Sequence, residues 1–283
     1  MTTGIQPERQ REVQRLLGRC MLRLQQYERL MKTLLAHHEL AGPVDTLEAQ
    51  RESRVQKLSD KSLGILVKAL FETYAVPEGF ERELIPEDRV PTDRISMAFS
   101  FRIAMPPERL AEVRTSVEEL VAMRNELVHH LIERFDLWSD EGCEAAIQHL
   151  EQCYERIDLH HGELLGWARG MDEARAHTAA FVQSDVFQDM LVNGIAPDGS
   201  VDWPASGIVR VLREATKTLS VDGWTRLDLA REWAETTHPE QTPAKYGRRT
   251  WPQILTESRL FDLVYRLDGD GKKVGWFRER PVH

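Results

Sequence analysis

The stretch Leu110–Leu131, LAEVRTSVEELVAMRNELVHHL, carries the clearest helical pattern in the chain. Its apolar residues return at alternating steps of three and four, which is the spacing of one face of an α-helix. These residues are Leu110, Val113, Val117, Leu120, Leu127 and Leu131. Arg124 stands where the ladder is interrupted, between Leu120 and Leu127. A guanidinium on a buried stripe is costly unless an anion or a partner surface meets it, so we expect Arg124 to mark a functional face.

The same helical period recurs elsewhere, so the first part of the chain is predicted to be an α-helical bundle. The predicted helices are 7–40, about 60–74, about 106–137, and 142 to about 193. Four helical stretches with short connections are typical of a bundle. Residues 79–106 differ, because prolines flank them and every second residue from Ile95 to Met105 is apolar. That alternation predicts a strand-containing insertion.

A second domain with shorter elements is predicted after the bundle. Gly and Pro are dense over 194–206, which predicts a linker between a domain at 1–193 and another at 207–283. The second domain has predicted helices at 208–219, 227–235 and 251–257, then predicted strands at 261–267 and 274–278. The sequence Asp-Gly-Asp-Gly between the strands favours a hairpin. Three short helices and a hairpin predict a winged helix-turn-helix, and the whole chain is expected to be mainly α.

The composition favours a cytoplasmic protein without a membrane partner. No apolar run approaches the roughly 20 residues that a membrane span requires, and the polar start lacks the apolar core of a signal peptide. The three cysteines, Cys20, Cys143 and Cys153, have no metal-type spacing, and we expect no metal or other cofactor. The net charge is −9, but residues 221–283 hold 11 Lys+Arg against 10 Asp+Glu. The acidity therefore lies in the first part of the chain, and the second part can still meet a nucleic acid.

A stretch of the predicted helix at about 106–137 resembles the signature of the HEPN superfamily. In that signature an Arg, often followed directly by Asn, precedes a His by four to six residues, and here Arg124, Asn125 and His129 match it. The resemblance covers roughly residues 7–193, apart from the insertion at 79–106. It implies a metal-independent ribonuclease that acts as a homodimer, and such a protein can serve as a toxin or a defence effector.

The chemistry of RNA cleavage gives each motif residue a role. Without a metal, cleavage needs a base or acid and a cation for the charge that develops on phosphate. We predict that His129 is the general base or acid, that Arg124 stabilises the phosphorane-like state, and that Asn125 orients the phosphate. Five residues turn an ideal helix by about 140°, so Arg124 and His129 of one chain point apart. Two copies of the helix about a two-fold axis would bring both pairs to one cleft.

The second domain resembles OST-HTH (LOTUS) domains, whose winged helices bind RNA in several cases and a helicase in others. The matching residues are Asp222, Gly223, Trp224, Leu227, Leu229, Ala230, Pro243, Lys245, Tyr246, Gly247, Trp251, Leu255 and Phe261. The most specific element is Pro-x-x-Tyr-Gly at Pro243–Gly247. An RNA base can stack on Tyr246, although the favoured interpretation of Tyr246 is a core residue, and we predict that cations contact phosphate. The predicted cations are Lys245, Arg248, Arg249, Lys272 and Lys273.

Structural and metal-binding alternatives stand beside these predictions. Arg124 can pair with Glu119 or Glu28 while His129 ends a buried stripe, and Tyr246 can belong to the core, as can Trp224, Trp233 and Trp251. The spacing Glu126-x-x-His129, loosely repeated at Asp158-x-x-His161, occurs in di-iron bundles.

His130 is a weaker substitute for His129 in the catalytic role. The functional rivals are an RNA-binding adaptor without catalysis and a helicase-docking protein, and an antitoxin is a further possible partner.

Overall fold

The computed structural model describes residues 5–91 and 94–281 and is mainly helical, as predicted. The chain divides into two compact units, one up to Ala176 and one from His177 onward. This boundary comes before the predicted linker at 194–206. In the described ranges, none of the helices is long and apolar enough to cross a membrane.

The first unit is built from long helices and two small strand pairs. Its helices are α1 (Ile5–His37), α2 (Leu47–Ser59), α3 (Leu63–Thr73), α4 (Pro107–His129), α5 (Leu131–Arg134) and α6 (Asp140–Val182), the last belonging to this unit up to Ala176. Its strands are β1 (Glu39–Pro43), β2 (Ala75–Pro77), β3 (Ser96–Ser100) and β4 (Ile103–Met105). Buried side chains of α1, α3, α4 and α6 form one apolar core.

The predicted insertion pairs with neighbouring parts of its own unit. Strand β3 pairs antiparallel with β1, and β4 pairs parallel with β2. The alternating stretch 95–105 therefore forms two short strands with a break at 101–102. Helix α1 ends at His37, before the predicted residue 40, because the chain enters β1. Helix α2 was not predicted, and none of its residues is buried, so it leaves no apolar period to detect.

On α4, the predicted buried position of Arg124 is wrong. The predicted stripe is buried from Leu110 to Leu131, but Met123 completes it. Met123 comes three residues after Leu120 and four before Leu127, so it satisfies the same three-and-four spacing as Arg124 does. The helix buries the thioether and leaves the guanidinium half-exposed at the edge of the core face.

The second unit follows the predicted order of elements closely. Its helices are α7 (Asp185–Asn193), α8 (Gly207–Leu219), α9 (Leu227–Thr237) and α10 (Trp251–Ser258), and its strands are β5 (Thr225–Arg226), β6 (Phe261–Leu267) and β7 (Lys273–Glu279). The strands form one antiparallel sheet in the order β5–β7–β6. Helix α8 buries Ile208, Val209 and Leu212 in the core of this unit.

Helix α7 and the predicted linker are folded parts of the second unit. Gly194 ends α7 at φ +64°, and Ile195 then forms a β-bridge with Val201. Asn193 is buried, and its side chain accepts a 2.9 Å hydrogen bond from Gln241. These contacts explain why the compact unit begins before the Gly- and Pro-rich stretch.

Candidate functional site

The three predicted catalytic residues lie on α4, outside the core. Arg124 donates a 3.1 Å hydrogen bond from Nη1 to Oδ1 of Asn125. Asn125 and His129 are exposed, and the His129 ring lies 6.2 Å from that of His130. The structure brings Arg124 and Asn125 into contact, but it gives no contact between either of them and His129 in the same chain.

The structural alternative for Arg124 is wrong in the form predicted. Glu119 accepts a 2.6 Å hydrogen bond from Arg156, and Glu28 pairs with Lys32 at 2.8 Å. Arg124 makes no ion pair with any described residue. Its charge therefore remains available to an anion or to a partner surface.

A second group of polar side chains surrounds a cavity of about 400 Å³ beside α4. We call it the α4–α6 pocket; its lining residues are Glu119, Ala122, Met123, Glu126, Arg134, His149, Gln152, Cys153 and Arg156. Sequence reasoning did not find it. Glu126 lies on α4, Arg134 on α5 and His149 on α6, so the pocket depends on packing between helices that no single stretch encodes.

Within this pocket a carboxylate meets an imidazole. Oε1 of Glu126 lies 3.2 Å from Nε2 of His149 and also contacts the Arg134 guanidinium. Burial, and then the positive charge of Arg134, lower the pKa of His149, while Glu126 raises it; the net direction is downward. His149 is therefore mainly neutral at neutral pH. Sγ of Cys153 lies 3.4 Å from Nε2, but burial raises the pKa of this thiol to about 11, which keeps it protonated.

The predicted metal-binding alternative gains no support from this arrangement. Glu126 contacts His149 and Arg134, whereas Asp158 contacts Arg23. Across residues 5–91 and 94–281, no three His, Cys, Asp or Glu side chains come together as metal ligands would.

In the second unit, three of the predicted RNA-binding cations line one groove of about 580 Å³. We call it the α9–β7 groove; it is lined by Leu227, Asp228, Arg231, Glu235, Pro243, Arg249, Thr250, Trp251, Pro252, Lys272, Lys273, Val274 and Gly275. Arg231 is paired with Glu235 at 2.7 Å. Arg249 and Lys272 are exposed, and neither forms an ion pair with a described residue.

The other three predicted RNA-binding residues lie elsewhere, and stacking of a base on Tyr246 is wrong. Tyr246 is only 2% exposed. Its hydroxyl donates to Oε1 of Gln241 at 2.6 Å and accepts from the backbone N–H of Ile208 at 3.0 Å. Lys245 pairs with Asp189 at 3.0 Å. The burial of Tyr246 supports its interpretation as a core residue.

Arg248 is likewise occupied within its own unit. It pairs with Glu257, and its guanidinium lies 5.7 Å from the Trp203 ring. Arg248 does not line the α9–β7 groove. Together with Lys245, it was predicted as a phosphate contact but is held by a carboxylate.

Sequence reasoning also missed an aromatic and cationic cluster on the sheet face that is opposite the buried Phe277. Trp224, predicted to be core, is half-buried between Arg266 at 4.9 Å and Arg278 at 4.7 Å. Arg266 also lies 5.4 Å from Trp276. The period-two pattern of β6 and β7 contains this signal, since Arg266, Trp276 and Arg278 alternate with buried residues such as Phe277.

Compared with protein-family models, curated proteins and solved structures, the chain matches none of them. The resemblances to HEPN and OST-HTH (LOTUS) proteins therefore rest on the residues quoted for them.

Proposed function

We propose that this chain is an RNA-directed protein: a metal-independent endoribonuclease of the HEPN type in its helical unit, with an RNA-binding winged helix of the OST-HTH (LOTUS) type in its second unit. The observation that carries this proposal is the convergence of Arg249, Lys272 and Lys273 on the α9–β7 groove. Cations that have no carboxylate partner meet phosphate without first breaking an ion pair, and phosphate contacts dominate affinity for RNA.

The order of elements in the second unit supports the winged-helix assignment. Helices α8, α9 and α10 precede the β6–β7 hairpin, and β5 completes a three-stranded sheet. In winged helices the hairpin is the wing, so Lys272 in the turn and Lys273 at the start of β7 would lie beside an RNA backbone, and Arg249 would approach from the segment just before α10.

For the helical unit, the motif residues have the accessibility that cleavage requires. His129 is exposed and can exchange a proton with a ribose hydroxyl or a leaving oxygen. Arg124 has no ion pair among the described residues, and its guanidinium suits bidentate contact with phosphate. Asn125, which accepts from Arg124, would orient that guanidinium or the phosphate itself.

A homodimer through α4 is part of this proposal. Val128 is 41% exposed and Ile132 66% exposed, and both flank His129 in the sequence. Exposed apolar residues beside polar functional groups are typical of an interface. A two-fold axis near them would place the Arg124 of one chain beside the His129 of its partner.

The test is cleavage of a mixed structured and single-stranded RNA pool in EDTA by the wild type and by His129→Ala. We expect cyclic-phosphate ends from the wild type and loss of cutting in a variant that still dimerises. His130→Ala is the matched control, because His130 is a neighbouring exposed imidazole that contacts Glu133 at 2.8 Å. No cutting by the wild type, with RNA still bound, would overturn the nuclease assignment.

That last outcome would favour a second candidate, a non-catalytic RNA-binding adaptor or helicase-docking protein. The observation that favours this candidate is that Arg124 and His129 do not contact each other within one chain, so a single chain holds no assembled catalytic pair. A dimer that binds RNA with a steep salt dependence but never cuts it would establish the adaptor. A binding affinity that does not change with salt concentration would indicate docking to a protein.

A further inference from the structure

The α4–α6 pocket holds acid–base and cationic groups that the sequence motif does not use. We propose that His149 is a second acid–base residue of RNA cleavage and that Arg134 and Arg156 hold the scissile phosphate in this pocket. This inference rests on the proposed ribonuclease function. The pocket lies on the side of α4 that faces α5 and α6, and in this proposal it extends the cleft in which His129 meets the partner's Arg124.

The carboxylate contact prepares His149 for proton transfer. When Nε2–H of His149 donates to Glu126 at 3.2 Å, the imidazole is fixed in the tautomer that leaves a lone pair on Nδ1. Among the described residues, Nδ1 has no hydrogen-bond partner. Burial keeps the ring mainly neutral at neutral pH, which is the form that accepts a proton. Glu126 is thus a positioning residue, and His149 is the group that meets the substrate.

Two guanidiniums complete the pocket. Arg134 contacts Glu126, and Arg156 donates to Oε2 of Glu119 at 2.6 Å. Their side chains remain 51% and 50% exposed, so each retains donors that reach solvent. Guanidiniums bind phosphate oxygens bidentately, and a carboxylate on one edge fixes the direction of the other edge. The cavity of about 400 Å³ has room for a phosphate with its ribose.

The pocket also lies close to the motif along α4. Glu126 precedes His129 by three residues, and such residues are neighbours on a helix surface. In the proposed reaction His149 takes the proton of the ribose 2′-OH through Nδ1. The 2′-oxygen then bonds to phosphorus while the bond from phosphorus to the 5′-oxygen breaks. Protonated His129 gives its proton to the 5′-oxygen, and the products are a 2′,3′-cyclic phosphate and a 5′-hydroxyl.

A purely structural role is the alternative, since Glu126, Arg134 and His149 would also tie three helices together. The experiment compares wild type, His149→Ala, His129→Ala and the control His161→Ala as full chains. His161 is a partly buried imidazole of the same helix outside the pocket. Each protein receives a single-stranded RNA in EDTA, and binding is measured separately with a 2′-deoxy analogue that has no 2′-OH to react. Free imidazole is added to His149→Ala to restore the missing base.

We expect His149→Ala to cut about 10²- to 10³-fold more slowly, to bind the analogue as the wild type does, and to recover in imidazole. His161→Ala should cut normally. Normal cutting by His149→Ala would overturn the inference, and the ribonuclease function would stand if His129→Ala is inactive. A wild type that cuts nothing would overturn both. If His149→Ala fails to fold, Arg156→Ala replaces it, because Arg156 is half-exposed; wild-type cutting by that variant would also overturn the inference.

Discussion

The α4–α6 pocket and the α9–β7 groove are the two regions to which we assign RNA contacts, and they hold their cations differently. In the pocket, Arg134 and Arg156 each contact a carboxylate. In the groove, Arg249 and Lys272 form no ion pair with a described residue. A paired guanidinium keeps a fixed direction, whereas an unpaired cation attracts a polyanion over a distance that salt shortens. The comparison indicates that the pocket is suited to positioned chemistry and the groove to affinity.

The largest effect should come from removing a positioned guanidinium. Arg134→Ala is expected to slow RNA cleavage by about 10²- to 10³-fold and to change RNA affinity by about twofold at most, because its donors act on charge that develops in the transition state. Single-turnover cleavage and equilibrium binding of the 2′-deoxy analogue measure the two quantities.

The control for this variant is Arg109→Ala, since Arg109 pairs with Glu112 on the exposed side of α4. It should leave both quantities unchanged. A loss of affinity in Arg134→Ala as large as its loss of rate would remove the distinction between the pocket and the groove.

The next largest effect concerns the groove. The combined variant Arg249→Ala, Lys272→Ala and Lys273→Ala should bind RNA about 10- to 100-fold more weakly at low salt, because about three phosphate contacts are lost. The slope of log affinity against log salt should become shallower by about two, at about 0.7 per phosphate of a single strand. Cleavage of saturating RNA should remain normal.

Its matched control is Lys245→Ala with Arg248→Ala, which removes two cations of the same unit that carboxylates already hold. We expect little change in affinity or in salt slope. If this pair weakens binding as strongly as the triple variant does, exposure and pairing do not decide which cations bind RNA.

A smaller effect, on stability, tests the buried position of Tyr246. Tyr246→Phe removes a hydroxyl that contacts Gln241 and the backbone of Ile208, so the free energy of unfolding of the second unit should fall by about 1–2 kcal/mol. RNA affinity of the folded variant should not change. Tyr265→Phe, at an exposed position of β6, is the control. Weaker RNA binding by Tyr246→Phe with unchanged stability would instead indicate that Tyr246 contacts RNA.

These cases show why sequence predicted the second unit better than the first. Helix 208–219 and strand 261–267 were predicted almost to the residue, because each has one strongly apolar face and a clear turn signal. Helix α2 has no fully buried residue and so has no apolar period to detect. At Arg124 the spacing allowed two solutions, positions 123 and 124, and only the packed core distinguishes a thioether from a guanidinium there.

The residues of the candidate sites that were predicted lie mainly in short stretches of sequence. Arg124, Asn125 and His129 share one helix, and Lys272 and Lys273 are adjacent where β7 begins. Contact between Glu126 and His149 depends on how α4 meets α6, which local periodicity does not encode. Pairing between Lys245 and Asp189 likewise depends on how α7 packs within the second unit, and α7 lies in a region predicted to precede a linker.

The smallest effect, and the most specific to the pocket, is on the pH dependence of cleavage by Glu126→Gln. The groups that face His149 are Glu126 from α4, Arg134 from α5 and Cys153 from its own helix. Of these, Glu126 raises the pKa of His149, while burial and Arg134 lower it. Gln keeps an oxygen that accepts from Nε2 but has no charge, so the pKa should fall further.

Cleavage that needs unprotonated His149 rises with pH through the pKa of the free enzyme, so the rising limb of kcat/KM should move to lower pH in Glu126→Gln. Glu119→Gln, which changes a pocket carboxylate that contacts Arg156, should leave that limb in place. A structural role for Glu126 would lower the rate at every pH without moving the limb. Movement to higher pH would mean that another group supplies the base, and the pocket would then resemble the groove in offering only charge.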